Sequence, residues 1–276
     1  MIEADKRELR LSDGAVLTYL DRGSGPVVLL VHGVCMTSAF FARNIDALAV
    51  DHRVIAVDLR SHGDSPTSSS GNTVARYARD LHELMVALDL HDVTGVGWSM
   101  GSFVWWDHLS QFGTDRLARL AVVSQGPADL TRPDWPHGIA DPDQLGSFVD
   151  AMQSDFSGFF SEFLAEMFKD PLADADAALL LAEITKIEPN PGTVILADQT
   201  LRDYRGFLTG LDVPHLLIWG VDEKVVKVAS ADWLSEALAD AELHVFDHSG
   251  HCPMWEEPDL FNELLAGWVA RRTVAD

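Results

Sequence analysis

The sequence predicts an α/β fold: a mostly parallel central sheet with flanking helices and one inserted helical segment. Three observations predict it. Continuous apolar runs recur at Pro26–Val31, Arg53–Val57, Val93–Val96, Leu117–Ser124 and Val213–Trp219, the pattern of strands buried on both faces. Segments of helical period separate them, as crossover connections between parallel strands require. Between residues 129 and 208 this alternation stops and helical stretches alone remain.

Each element has its own local reason. Glu8–Leu11 and Ala15–Asp21 flank Ser12-Asp13-Gly14 and read as a hairpin. Thr37 or Ser38 can cap a helix running to about Val50. Thr73–Leu90 places Tyr77, Leu81, Leu84, Met85 and Leu88 on one helical face. Val93–Trp98 is a strand, and Phe103–Trp106 opens the helix after it. The middle segment divides at Pro and Asp into helices near Pro142–Ser154, Ser157–Phe168, Asp174–Ile187 and Thr193–Tyr204. The alternation resumes with a helix at Ala229–Leu238, a short strand at Leu243–Phe246 and a last helix at Glu257–Arg271. The organisation expected is a core of residues 1–128 and 209–276 with a helical cap at 129–208.

A chain of 276 residues that is 47% hydrophobic can bury a large core. With Asp+Glu 43 against Lys+Arg 20, its formal charge is −23. Such a surface repels nucleic acid and anionic lipid, so neither is an expected partner. The first seven residues are charged throughout with no apolar run after them, no membrane-length apolar stretch occurs, and a cytoplasmic location is expected. Two cysteines, Cys35 and Cys252, imply no disulfide framework. The histidines are scattered and show no metal-ligand spacing, so no metal site and no cofactor are expected.

The chemistry concentrates at Gly97-Trp98-Ser99-Met100-Gly101. A strand, a sharp turn and a helix place a serine at the apex. The two glycines let strand and helix approach closely. A serine hydroxyl is a weak nucleophile and needs an adjacent base. His251, in Ser249-Gly250-His251-Cys252-Pro253, supplies an imidazole that titrates near working pH. A carboxylate must then fix the imidazole tautomer.

Five motifs in order over nearly the whole chain resemble the α/β-hydrolase fold family. They are Val31-His32-Gly33-Val34, the loop Asp58-Leu59-Arg60-Ser61-His62-Gly63-Asp64-Ser65, the turn at Ser99, Ile218-Trp219-Gly220-Val221-Asp222-Glu223, and the loop around His251. Ser61 stands where the family has a glycine. The resemblance implies an α/β-hydrolase fold with a catalytic Ser99 and His251, and oxyanion donors at the backbone N–H groups of Val34 and Met100. His32 is structural in relatives of this kind.

The acid remains open among three residues. The family pattern counted from Gly220 selects Glu223, with Asp222 one residue early; relatives that take their acid after the sixth strand would use Asp129. Large apolar residues of the insertion form its own core, and some would roof the site. Trp98, Phe40, Phe160 and Met254 are the candidate substrate walls. No basic cluster is present to select an anionic substrate.

Three functions are weighed for a small-molecule substrate. The first is hydrolysis of a carboxylic ester or lactone with an apolar acyl or ring part, through an acyl-enzyme at Ser99. Glu at the acid position is similar to some N-acyl-homoserine lactonases of this fold. The second is a cofactor-independent 2,4-dioxygenase of a hydroxyquinolone-type ring with His251 as base, suggested by His32-Gly33-Val34-Cys35. The third is a non-catalytic ligand receptor. A perhydrolase or haloperoxidase-like activity would use the same residues as the first. Haloalkane dehalogenase and epoxide hydrolase chemistry need an aspartate where Ser99 stands.

Overall fold

Leu29 lies in parallel register with Ile55 on one side and Gly95 on the other, and that three-strand centre organises the molecule. The computed structural model describes residues 6–271; residues 1–5 of the charged N-terminus lie outside them, as do residues 272–276.

The strands are β1 (Lys6–Arg10), β2 (Val16–Gly23), β3 (Val27–Val31), β4 (Arg53–Asp58), β5 (Val93–Trp98), β6 (Leu117–Val123), β7 (His215–Gly220) and β8 (Ala241–Phe246). Their order across one sheet is β1-β2-β4-β3-β5-β6-β7-β8. The hairpin pairs β1 with β2, and β2 runs antiparallel to β4; every later pair is parallel. The central strands are buried on both faces, which is why they read as unbroken apolar runs.

The helices are α1 (Ile45–Leu48), α2 (Val74–Ala87), α3 (Met100–Phe112), α4 (Pro142–Ser154), α5 (Phe156–Met167), α6 (Asp174–Ile184), α7 (Pro189–Thr200), α8 (Arg205–Leu208), α9 (Ala229–Ala237), α10 (Pro253–Glu256) and α11 (Pro258–Ala270). Thr73 caps α2 through a bond from the Arg76 N–H. Asp141 and Gln144 form a reciprocal capping box on α4. Five helices, α4 to α8, lie between β6 and β7.

Two helices expected from sequence differ in the fold. The stretch 38–50 is a 3-10 turn (Ser38–Phe41) followed by the short α1. Asn44, between the two, is fully buried; its amide donates to Met254 O and Asn262 Oδ1, 2.9 Å each. That tertiary demand interrupts the local helix. The expected helix at 193–204 starts earlier, at Pro189, and stops at Thr200, because the Tyr204 N–H bonds Pro127 O instead of the helix. The last expected helix, Glu257–Arg271, is α11, and Pro258, with no N–H to extend α10, separates it from that short turn.

Two buried ionic or polar nodes hold the loop after β4. Arg60 grips Asp80 with two bonds of 2.8 and 2.9 Å, both side chains almost fully buried. Ser61 occupies the left-handed region (φ 66), where glycine is favoured. Its hydroxyl offsets that strain by donating to Asn72 and accepting from the Ser68 N–H.

Candidate active site

Ser99 sits between β5 and α3 with φ 52 and ψ −127, a conformation a non-glycine residue holds only when its surroundings enforce it. The enforcement is visible in the flanking glycines. A Cβ on Gly97 would lie 2.5 Å from the Ser102 nitrogen, and one on Gly101 would overlap the Val31 carbonyl oxygen. Ser99 N donates to Val123 O across the sheet at 2.9 Å, and Ser102 Oγ donates to Gly97 O at 2.7 Å. The turn is therefore pinned on both sides, with the Ser99 side chain facing a cavity.

That cavity has a volume of about 510 Å³. Its wall is mainly apolar, with Phe148, Phe159, Phe160 and Phe163 from α4 and α5 opposite Ser99 and Val34. Ser99 Oγ makes no hydrogen bond among the described residues. The backbone N–H groups of Val34 and Met100 likewise have no acceptor among them. Met100 is the first residue of α3, so its N–H is one of the helix's intrinsic orphans and lies at the positive end of the helix dipole.

His251 lies in the loop between β8 and α10. Its carbonyl accepts from Trp98 Nε1 at 2.8 Å, so the loop is fastened to the residue immediately before Ser99. Its Nδ1 is 2.9 Å from Glu223 Oε2. Both side chains are buried. The second Glu223 oxygen accepts from the N–H groups of Val225 (2.8 Å) and Val226 (3.1 Å). Burial works against the Glu223 charge, but the imidazole and these backbone donors outweigh it and hold the carboxyl below its ordinary value. An ionised Glu223 beside Nδ1 favours the imidazole tautomer with its proton on Nδ1.

The other two candidate acids are placed elsewhere. Asp222 is half-exposed and pairs with Lys169 Nζ at 2.7 Å. Asp129 is buried in the cavity wall, bonded by Gln125 Nε2 at 2.7 Å and Gln199 Nε2 at 2.9 Å. Of the candidate walls, Phe160 lines the cavity. Trp98, Phe40 and Met254 are not among its lining residues; they are completely buried, with the Trp98 and Phe40 rings 4.9 Å apart. Their apolar character is that of core packing. His32 and His62 are also buried, where desolvation pushes them down to about 4 and about 3. Each uses Nε2 to accept a backbone N–H, from Leu59 and Cys35 respectively.

Glu256 has a role that no motif signals. One of its oxygens accepts from Gly250 N (2.8 Å) and Cys252 N (3.3 Å), on either side of His251. The other accepts from Lys169 N at 2.7 Å. The His251 N–H itself donates to Met167 O at 2.8 Å. The loop that carries the imidazole is thus built jointly by α10 and the end of α5. Gln125 and Gln199 were equally silent, because isolated glutamines carry no spacing signal. Gly220 is required because the acid and histidine loops touch there: a Cβ would overlap the carbonyls of Ser249 and Gly250.

Among the described residues no group of three or more His, Cys, Asp or Glu side chains is arranged to hold a metal ion, and no helix is long and apolar enough to cross a membrane.

Comparison with known proteins places the chain among α/β hydrolases. The profile of the alpha/beta hydrolase fold family matches residues 26–258. A pimeloyl-[acyl-carrier protein] methyl ester esterase from Vibrio atlanticus is 31% identical, over 90% of this chain and 96% of its own. A putative non-heme chloroperoxidase from Synechocystis sp. is 29% identical, over 91% of this chain and 94% of its own. Among solved structures, an esterase from Exiguobacterium antarcticum superposes with a TM-score of 0.92 at 23% identity, covering 96% of this chain and 99% of that one.

Proposed function

The chain belongs to the α/β-hydrolase fold family, and from that premise we propose that it is a serine hydrolase that cleaves a carboxylic ester or lactone with an apolar acyl or ring part. The observation that carries this reading is the buried His251–Glu223 pair on a loop fastened beside Ser99. The esterase relative at 31% identity supports the reaction class.

In this reading Ser99 Oγ attacks the carbonyl carbon while His251 Nε2 takes the hydroxyl proton. Glu223 keeps the imidazole in the productive tautomer and stabilises the imidazolium. The negative charge that develops on the carbonyl oxygen is met by the N–H groups of Val34 and Met100, each worth about 3 kcal/mol. His251 then returns its proton to the leaving oxygen, and the acyl group stays on Ser99. Water, deprotonated by the same imidazole, releases it. The free Ser99 hydroxyl suits this sequence, since such catalytic bonds often tighten only once substrate is bound. Helices from 129 to 208 act as a cap that supplies the phenylalanine wall of the cavity.

The test is hydrolysis of p-nitrophenyl butyrate together with labelling by a fluorophosphonate. The expected result is turnover and a single adduct at Ser99, with kcat lowered by about 10⁴-fold or more in Ser99→Ala. Retained turnover in Ser99→Ala, or an adduct elsewhere, would overturn the reading.

The chloroperoxidase relative favours one secondary activity, formation of a peracid from a carboxylic acid and hydrogen peroxide at the same serine. It would appear as peracetic acid in acetate buffer with peroxide and vanish in Ser99→Ala. The ring-dioxygenase reading has no comparable support, because Asp129, the carboxylate after β6, bonds two glutamines and not His251.

A further inference from the structure

The cavity contains a fully buried polar cluster that the reaction above does not use. Gln125, Asp129 and Gln199 all line it, and each is at least 98% buried. Asp129 Oδ1 accepts from Gln125 and Oδ2 from Gln199. A carboxylate has about four acceptor positions, so two remain after these bonds. No lysine, arginine or histidine bonds it among the described residues. Gln125 is itself steadied by a second bond from Nε2 to Gly126 O at 3.0 Å. Two buried amides thus hold one carboxyl group at a fixed place in a mainly apolar wall.

Such an arrangement is costly if it serves packing alone. Burial pushes Asp129 up to about 7, against the opposing pull of Gln125, Gln199 and His251. A leucine of similar volume would fill the same space without that cost. A third donor, brought by a ligand, would supply the missing partner. The two other carboxylates of the lining, Glu162 and Glu166, stand with no cation beside them in the wall. They disfavour an anionic substrate by like-charge repulsion.

We propose that Asp129, positioned by Gln125 and Gln199, is a specificity-determining residue that accepts a hydrogen bond from an O–H or N–H group on the apolar part of an uncharged ester or lactone. The inference rests on the serine-hydrolase reading above and narrows its substrate class. A site built to bond a hydroxyl rejects the analogue that lacks it much more strongly than an apolar pocket rejects a missing methylene.

The experiment compares matched pairs: 2-hydroxyethyl octanoate against propyl octanoate for a donor on the leaving side, and methyl 3-hydroxyoctanoate against methyl octanoate for one on the acyl side. The readout is the ratio of kcat/KM within each pair. The wild-type protein is expected to favour the hydroxylated member by about tenfold or more in at least one pair. In Asp129→Leu that ratio falls to within about twofold of unity, and in Asp129→Asn it falls by at least threefold. A wild-type ratio near unity in both pairs overturns the proposal, as does a ratio that survives in the variants. Loss of both members in equal proportion leaves the ratio unchanged and assigns Asp129 a structural role instead. Should Asp129→Leu not fold, the near-isosteric Asp129→Asn decides alone. Should no ester be turned over, the hydrolase reading has failed. The same pairs are then titrated calorimetrically into wild-type and Asp129→Asn protein, where equal affinities within each pair overturn this proposal separately.

Discussion

Glu223 reaches His251 Nδ1 with one oxygen while its other oxygen is clamped by the backbone of Val225 and Val226. The carboxylate cannot rotate away without losing two further bonds, so the imbalance between the three candidate acids is geometric. Glu223→Gln is expected to keep the fold and lower kcat by about 10³- to 10⁴-fold, because an amide facing Nδ1 permits the wrong tautomer. Asp222→Ala changes kcat by less than about threefold, since its partner is the surface residue Lys169. Steady-state kinetics on p-nitrophenyl butyrate separate the two.

Glu256 positions the base without touching the reacting atoms. Glu256→Gln replaces one acceptor of the loop by a donor, and kcat is expected to fall about tenfold or more while KM changes little. The same variant exposes the loop, so amide hydrogen exchange at Gly250 and Cys252 should quicken. Unchanged exchange with unchanged kcat would remove Glu256 from the machinery.

The glycines separate into two kinds. Gly101→Ala forces backbone against backbone at Val31 and is expected to destabilise the protein by about 3 kcal/mol, read from denaturant unfolding. At Gly146 in α4 and Gly267 in α11, an added methyl group would meet nothing within 4 Å. Gly146→Ala and Gly267→Ala should each stabilise by about 0.5–1 kcal/mol.

Asp129 makes stability depend on pH. Its pKa is about 7 in the fold against an ordinary 3.8, so between about pH 4 and pH 7 the folded protein holds a proton that the unfolded chain has released. Stability at this position is full below pH 4 and is lost as pH rises through 7, by roughly 4 kcal/mol in all. Asp129→Asn carries no such charge. Its Tm should therefore exceed that of the wild-type protein by more at pH 8 than at pH 5, and an equal difference at both would contradict the assignment.

Much of this was readable from residues alone where one local rule dominated. Buried parallel strands appear as apolar runs, and the turn at Ser99 is written in two glycines that no larger residue could replace. Counting from Gly220 favours Glu223 over Asp222, but Asp129 stays open, because only the fold shows which carboxylate turns toward His251. Residues 38–50 misled for a similar reason. Helical propensity is local, whereas Asn44 answers to Met254, more than two hundred positions away. Trp98, Phe40 and Met254 adjoin motifs in sequence yet pack behind the cavity: Trp98 ends β5, where neighbouring side chains alternate direction, and Phe40 and Met254 lie on short helical turns that face the core. The partnership of Gln125, Asp129 and Gln199 joins a loop to α7 and has no linear trace.

The bond from His251 N to Met167 O, with those from Lys169 N to Glu256 and from Lys224 Nζ to Phe168 O, stitches residues 167–169 to the loops bearing the base and its carboxylate. Any displacement of residues 167–169 would therefore pull on the His251 loop and the Glu223 loop together. The geometry of the base thus depends on residues 167–169 staying where these bonds hold them.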